Sequence, residues 1–86
     1  MVSRKVKIKD LSGLHLTPAG KICTEAIKYN SKITLRFKNT EANVKSVISI
    51  LSACVKCGSE VELVCDGEDE EEALENILKL MEAEII

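Results

Sequence analysis

Hydrophobic and polar residues alternate along four stretches of the chain, and a period of two predicts β-strands that bury one face. These stretches cover residues 2–9, 33–37, 42–44 and 61–65. Three other stretches repeat their apolar residues at helical intervals, which predicts amphipathic helices. They cover residues 16–28, 46–52 and 69–82. The predicted order of elements is therefore βαββαβα.

Asn39–Glu41 and Asp66–Gly67 are predicted turns, and Gly58 is expected near the C-cap of the second helix. Because every predicted strand has a polar side, we expect an antiparallel or mixed sheet with helices on one face and water on the other. This arrangement is an α+β open-faced sandwich. A chain of 86 residues is long enough for one domain, and we assign residues 1–86 to it.

Composition narrows the classes of function. The chain has 12 Lys and Arg against 14 Asp and Glu, a net charge of −2, which argues against a nucleic-acid-binding module. No apolar run is long enough to span a membrane, and the first residues lack the apolar segment of a signal peptide, so we expect a cytoplasmic protein. In that compartment the four cysteines stay reduced, and we expect most of them to pack as small hydrophobic residues.

The single histidine, His15, immediately precedes the first predicted helix. Backbone N–H groups at a helix start, including those of Leu16 and Thr17, lack intrahelical partners and favour an anion. Imidazole is a potential nucleophile near neutral pH, so a phosphoryl group on its ring nitrogen would sit where the backbone can hold it. The alternative, which spacing alone favours, is that His15 is a loop or N-cap residue with no chemical task.

The segment Gly13–Ala19 reads GLHLTPA and resembles the GLHARPA segment of the histidine-containing phosphocarrier (HPr) family of the bacterial sugar phosphotransferase system. Val44–Ile48 resembles a second motif of the family, in which a serine opens a short helix. Residues 58–63 and 66–74 resemble the family's C-terminal third. The resemblance implies the family's fold, a four-stranded antiparallel sheet with three helices on one face.

The resemblance also implies chemistry. His15 matches the histidine that enzyme I phosphorylates on Nδ1 from phosphoenolpyruvate and that passes the phosphoryl group to an enzyme II A domain. Such a protein is a phosphoryl carrier rather than a turnover enzyme, and we expect a monomer with no cofactor and no metal. Ser46 matches the serine modified by an ATP-dependent HPr kinase/phosphorylase, whose product acts with a transcription regulator in carbon catabolite repression. From the residues alone, Ser46 is an ordinary N-cap.

Enzyme I is expected to dock on the first helix and on the helix that Ser46 opens. The expected contact residues are Leu16, Thr17, Ala19, Gly20, Val47, Ile48 and Leu51. Thr17 stands where the family has an arginine, and the loss of a charge-assisted bond to the phosphoryl group costs about 1.5–3 kcal/mol. Lys21 and, more weakly, Lys56 are candidates to replace that charge. We therefore expect slow or specialised transfer.

Three further patterns have competing interpretations. Cys54–Cys57 is a C-x-x-C motif that can bind a soft metal or cycle as a dithiol, although packing is the favoured role. Cys23 and Cys65 are expected to face the core. The acidic run over residues 66–72 lacks the alternating ligands of a calcium loop and suits the start of a helix. Six cations are expected on the solvated face of the sheet, with a weak surface for an acidic partner as the alternative: Lys5, Lys7, Lys9, Lys32, Arg36 and Lys38.

Overall fold

The computed structural model describes residues 1–8, 16–53 and 58–82, without the side chains of residues 16–18 and 82. Its elements are β1 Val2–Lys7, α1 Leu16–Ala26, β2 Lys32–Phe37, β3 Thr40–Asn43, α2 Val47–Ser52, β4 Glu60–Asp66 and α3 Glu70–Glu82. The predicted βαββαβα order is therefore confirmed.

The strands form one antiparallel sheet in the order β1-β4-β2-β3. β1 pairs with β4 in a register that places Val6 opposite Val61. Ile8 continues this pairing, because it donates to the Ser59 carbonyl and accepts from the Gly58 amide, both at 2.9 Å. β4 thus lies between β1 and β2, and β1 and β3 form the edges of the sheet.

The core lies between the sheet and the helices. The predicted stripe of α3 is entirely buried: Ala73, Leu74, Ile77, Leu78 and Met81. The strands contribute their inward side chains to the same core, including Val6, Ile33, Leu35, Val61 and Leu63. Burial of one strand side and one helix stripe is what a two-layer domain requires, and the predicted open-faced sandwich is confirmed. Among the described residues, no helix has the length and apolarity needed to cross a bilayer.

The opposite face of the sheet carries charges that are matched across strands. Lys5 lies opposite Glu62, and Lys7 lies opposite Glu60. The Arg36 guanidinium lies 3.0 Å from the Glu41 carboxylate and 3.7 Å from that of Glu62. The described cations predicted for this face are all exposed: Lys5, Lys7, Lys32, Arg36 and Lys38. Carboxylates face several of these cations and reduce the net positive charge of this face. Lys9 lies outside the described residues, and the alternative of a weak surface for an acidic partner stays a prediction.

Two predicted boundaries are wrong. Thr40 and Glu41 belong to β3 and not to a turn, because Phe37 pairs with Thr40 and leaves a two-residue hairpin turn. The first residue of that turn, Lys38, has a φ of 56°, which such tight turns require. The predicted apolar repeat of α1 also fails at its end: α1 ends at Ala26, and Ile27 is 59% exposed although its amide still donates to the Cys23 carbonyl at 3.0 Å.

Gly58 does not cap α2, because the C-cap of that helix is Ala53. Gly58 instead has a φ of 85° and opens the pairing with β1 through its bond to Ile8. A positive φ suits a residue without a Cβ, so this glycine serves the entry to β4.

Candidate functional site

α1 begins at Leu16, the residue directly after His15. Its first turn contains no acidic residue, so the positive end of the helix dipole has no compensating charge from its own side chains. His15 itself and the side chains of Leu16 and Thr17 lie outside the described residues. The structure shows the start of the helix, where backbone N–H groups lack intrahelical partners and favour an anion.

The described side chains of α1 show which of the expected contact residues are exposed and which are buried. Ala19 is fully buried, so its side chain cannot reach a partner, and its assignment as a contact residue is corrected. Gly20 is half-exposed, and a Cβ added there would meet no atom within 4 Å. Lys21 is exposed, which leaves its ammonium group accessible to an anion. Lys56, the other cation expected to compensate for Thr17, lies outside the described residues.

Ser46 is the N-cap of α2. Its backbone is extended, with φ −129° and ψ 116°, and its Oγ accepts a hydrogen bond of 3.3 Å from the Ser49 amide. The Ser46 carbonyl accepts from the Ile50 amide at 3.1 Å, which starts the helical pattern. The half-exposed hydroxyl therefore makes one long capping bond and lies at a helix start whose first turn has no acidic residue.

The segment before Ser46 is held by side chains that sequence reasoning did not single out. The Asn43 amide donates to Ser49 Oγ at 2.8 Å, and Asn43 Oδ1 accepts from the Lys45 amide at 3.0 Å. The Lys45 ammonium donates to the backbone carbonyl of Tyr29 at 2.6 Å. An Asn two residues before an amide is a turn signal readable in the sequence, whereas the lysine–carbonyl bond spans 16 residues and has no local signal.

α2 presents an apolar side chain to solvent. Ile48 is 77% exposed, and its neighbours Val47 and Leu51 are half-buried against the core. Ile50 points inward and is 1% exposed. We name the expected contact residues other than Ala19 the α1–α2 face: Leu16, Thr17, Gly20, Val47, Ile48 and Leu51. An exposed isoleucine beside partly exposed apolar neighbours is the kind of patch that partners bind.

The described cysteines pack rather than react. Cys65 is fully buried, and burial raises the pKa of its thiol to about 11, with smaller effects from Glu70 and Asp69. Cys23 is half-buried against the core. Across residues 1–8, 16–53 and 58–82, no three His, Cys, Asp or Glu side chains are grouped to hold a metal ion. Cys54 and Cys57 lie outside the described residues, so their role stays a prediction.

The acidic run opens α3 and also ties it to the rest of the fold. The Asp69 carboxylate accepts from the Asn30 amide at 2.9 Å, from the Ser31 amide at 2.9 Å and from Ser31 Oγ at 2.5 Å. The Ser31 hydroxyl, followed by the amide of Asn30, lowers the pKa of Asp69. Glu70 Oε1 accepts from the Gly67 amide at 3.1 Å. These contacts are structural, and those of Asp69 have no signal in the local sequence because its partners lie 38 and 39 residues away.

Comparison with known proteins identifies a family that matches almost the whole chain. A family model described as "PTS HPr component phosphorylation site" matches residues 2–83. The HPr-like protein Crh of Bacillus subtilis (strain 168) is 35% identical over 85 residues, 99% of this chain and 100% of that protein. The phosphocarrier protein HPr of Treponema pallidum (strain Nichols) is 37% identical over 82 residues, 95% of this chain and 93% of that protein. The crystal structure of HPr-C-His from Thermoanaerobacter tengcongensis matches with a TM-score of 0.94 at 36% identity, covering 98% of this chain and 94% of that chain.

Two further structures conflict with the expectation of a monomer. Crh of Bacillus subtilis, with a TM-score of 0.79 and 35% identity over 100% of this chain and 99% of that chain, is described as an intertwined dimer with a swapping domain. HPr of Thermoanaerobacter tengcongensis is described as a dimer, with a TM-score of 0.80 and 35% identity over 100% of this chain and 99% of that chain. A swapped dimer reuses the contacts of the monomer between two chains, so no sequence pattern separates the two states. The expectation of a monomer is therefore withdrawn.

Proposed function

This chain belongs to the PTS HPr family, and we propose that it is a phosphocarrier in which His15 is the residue that carries the phosphoryl group. Enzyme I transfers the group from phosphoenolpyruvate to Nδ1 of His15, and an enzyme II A domain removes it. The Nδ1–P bond forms as the bond to the donor breaks, and it breaks in turn when the acceptor is phosphorylated. Residues 1–86 act as one domain, in the cytoplasm, in the service of sugar uptake.

The observation that carries this proposal is the match of the phosphorylation-site family model over residues 2–83, a span that contains the chain's single histidine. The start of α1 at Leu16 supports it, because N–H groups without intrahelical partners and a first turn without acidic residues favour the added negative charge. The backbone amides of Leu16 and Thr17 are the proposed phosphate-binding groups.

Thr17 determines the expected rate of phosphoryl transfer through His15. A hydroxyl and an amide offer hydrogen bonds to the phosphoryl oxygens but no positive charge, and the loss of a charge-assisted bond costs about 1.5–3 kcal/mol. Transfer through His15 is therefore slower than in a chain with arginine at this position by roughly one to two decades. Lys21, exposed one turn farther along α1, is the proposed partial replacement.

The experiment is incubation with enzyme I and phosphoenolpyruvate, followed by mass measurement and a test of bond stability. We expect one phosphate that is lost in acid and kept in base. His15→Ala abolishes it, Ser46→Ala retains it, and Thr17→Arg raises the rate of transfer about tenfold or more. An unlabelled wild-type chain, with a known HPr labelled in parallel, contradicts the carrier proposal.

The α1–α2 face is the proposed docking surface for enzyme I and for enzyme II A domains. Ile48 offers the largest exposed apolar contact on α2 and is 77% exposed. Val47 and Leu51 extend the same surface while remaining packed against the core. A surface that combines an exposed apolar centre with a helix start beside His15 brings a partner's reactive group to the imidazole.

A second function is proposed on Ser46, because its hydroxyl is half-exposed and makes one capping bond of 3.3 Å. Transfer of the γ-phosphoryl group of ATP by an HPr kinase/phosphorylase forms the Ser46 Oγ–P bond, breaks the bond to the bridging oxygen of ADP and releases the hydroxyl proton. The modified chain then acts with a transcription regulator in carbon catabolite control. The added charge of about −1.5 to −2 lies beside the α1–α2 face and weakens partners that bind through its apolar residues.

Labelling with ATP and the kinase separates the two functions. ATP-dependent phosphate is expected on the wild type and on His15→Ala, and it is lost in Ser46→Ala. The cellular consequence of each substitution identifies the dominant role. If Ser46→Ala keeps the ATP-dependent label, the assignment of the regulatory site to Ser46 is wrong.

A further inference from the structure

We propose that Lys45 is a positioning residue that transmits phosphorylation of Ser46 to the end of α1. In the unmodified protein its ammonium holds the Tyr29 carbonyl at 2.6 Å. When Ser46 carries a phosphate, the ammonium leaves that carbonyl for the adjacent dianion, and the bond between the α2 entry and the end of α1 is broken. This inference rests on the proposed modification of Ser46 and adds the structural response to it.

The Lys45 bond joins two parts of the fold that are remote in sequence. Tyr29 follows the last turn of α1 and its amide donates to the Ala26 carbonyl at 3.1 Å. Lys45 lies in the segment between β3 and α2, and its own amide is held by Asn43 Oδ1 at 3.0 Å. The Lys45 backbone therefore stays in place when its side chain moves, and the ammonium is the mobile part of the connection.

The two acceptors open to the Lys45 ammonium, the Tyr29 carbonyl and a phosphate on Ser46, differ in strength. A backbone carbonyl is neutral, whereas phosphoserine carries about −1.5 to −2 charge and three acceptor oxygens. Bonds between an ammonium and an anionic oxygen are among the strongest hydrogen bonds in proteins. In the unmodified protein the two side chains are directed to different groups, because the Lys45 ammonium donates to the Tyr29 carbonyl and Ser46 Oγ accepts from the Ser49 amide. The flexible four-carbon stem of lysine allows the ammonium to turn back to a phosphate on the next residue.

The structural change that follows phosphorylation of Ser46 is local, because other hydrogen bonds hold the Tyr29 side chain. Its hydroxyl donates to Glu25 Oε2 at 2.7 Å and accepts from Asn76 Nδ2 at 2.6 Å. Its ring is buried, at 8% exposure. Loss of the Lys45 bond thus frees one carbonyl without releasing the side chain from the core, so the change is confined to the junction of α1 with the α2 entry.

The test uses the whole chain with phosphoserine installed at position 46 by chemical ligation at Cys23 and Cys54. No kinase or enzyme I is involved, so the outcome is independent of whether the cell modifies Ser46 or His15. Tyr29 is the chain's single tyrosine, so a carbon-13 label in tyrosine carbonyls reports this one group. The measurement is its NMR shift in four chains: unmodified, phospho-Ser46, Lys45→Met, and Lys45→Met with phospho-Ser46.

We expect phospho-Ser46 to move the Tyr29 carbonyl resonance to lower frequency, as Lys45→Met does, because both remove the donor. In the Lys45→Met chain, phosphoserine should produce no further shift. Lys28→Met is the matched control, since Lys28 pairs with Glu25 at 3.0 Å and does not bind this carbonyl; it should retain the full response. Phosphoserine at the exposed Ser52 should leave the resonance in place.

Two results would overturn the inference. One is a Tyr29 carbonyl resonance that phospho-Ser46 does not move, which shows that Lys45 keeps its acceptor. The other is an equal shift with and without Lys45, which shows that the phosphate acts by another route. The comparison of unmodified and phospho-Ser46 chains needs no substitution, so it stands even if Lys45→Met fails to fold.

Discussion

The starts of α3 and α2 are built in opposite ways. α3 opens with Glu70, Glu71 and Glu72, so its own side chains compensate the positive end of the helix dipole. α2 has no acidic residue in its first turn, and its cap is a single bond of 3.3 Å to Ser46 Oγ. α1, which follows His15, also lacks an acidic first turn. The two helices without acidic residues in their first turns are those at which phosphoryl groups are proposed.

The two starts also differ in how firmly the preceding residue is held. Asp69 accepts three hydrogen bonds from Asn30 and Ser31, and Ser31 is fully buried. Ser46 is half-exposed and its hydroxyl accepts one bond. A carboxylate that accepts three hydrogen bonds cannot change chemically without cost to the fold, whereas a hydroxyl that makes one hydrogen bond can be modified. We name the packed group of Asp69, Ser31 and Gly67 the clasp. The clasp is structural, whereas the start of α2 is available for regulation.

Gly67→Ala is expected to have the largest effect on stability. A Cβ at position 67 would lie 2.6 Å from Ser31 Cα and 2.7 Å from Ser31 Oγ, so the buried loop must shift. Overpacking of this kind costs about 3 kcal/mol in the free energy of unfolding, measured with urea. The matched control is Gly20→Ala, which meets no atom within 4 Å and should stabilise α1 by about 0.5–1 kcal/mol. Equal effects at both positions would show that the clasp is not tightly packed.

Ser31→Ala comes next in size. It removes the hydroxyl that donates to Asp69 while leaving the two backbone amides as donors. A hydrogen bond to a charged group contributes about 1.5–3 kcal/mol, and we expect a loss of about 2 kcal/mol in urea unfolding. Ser52→Ala serves as control, because the exposed Ser52 hydroxyl donates to the Ile48 carbonyl of its own helix and should change stability little. A loss of stability no larger than that of the control would show that the Ser31 hydroxyl does not stabilise the clasp.

The clasp also predicts a dependence on pH. Hydrogen bonds from Ser31 and Asn30 lower the pKa of Asp69 in the folded protein, so the unfolded chain binds the proton more readily. The stabilisation is therefore complete above about pH 4 and is lost as the pH falls through the lower, folded pKa. The effect is smaller than that of Ser31→Ala, because water screens a half-exposed carboxylate. The difference in unfolding free energy between wild type and Asp69→Asn should shrink below pH 4, and a constant difference would contradict this account.

Local patterns predicted most of the fold. Alternation gave β1 and β4, and the helical interval gave α3 with its whole buried stripe. The errors at Thr40, Glu41 and Gly58 arose where pairing across the sheet decided the outcome. Thr40 and Glu41 joined β3 because Phe37 and Arg36 lie opposite them. Val64 lies on the outer face and is nevertheless 5% exposed, since its strand is central in the sheet.

The candidate site divides in the same way. Ser46 as the start of a short helix and Ile48 as an exposed contact could be read from residue type and position. The burial of Ala19 agrees with its helical spacing to Ile22 and Ala26, which are also buried, and its assignment as a contact residue conflicted with that pattern. The bonds of Lys45 to Tyr29 and of Asp69 to Ser31 join residues 16 and 38 positions apart, and no local period encodes them.

Ser46→Ala has the smallest expected effect and is the sharpest test of the contrast between the two helix starts. It removes one long capping bond to the Ser49 amide, and loss of a serine N-cap costs about 0.5–1 kcal/mol. The same change of serine to alanine at Ser31 should cost about twice as much or more. Urea unfolding of the two variants under one condition gives the ratio directly. If Ser46→Ala costs as much as Ser31→Ala, the Ser46 hydroxyl is as important to the fold as the Ser31 hydroxyl, and the contrast between the two helix starts is wrong. A small loss shows instead that α2 depends little on this bond, so the Ser46 oxygen is available for modification.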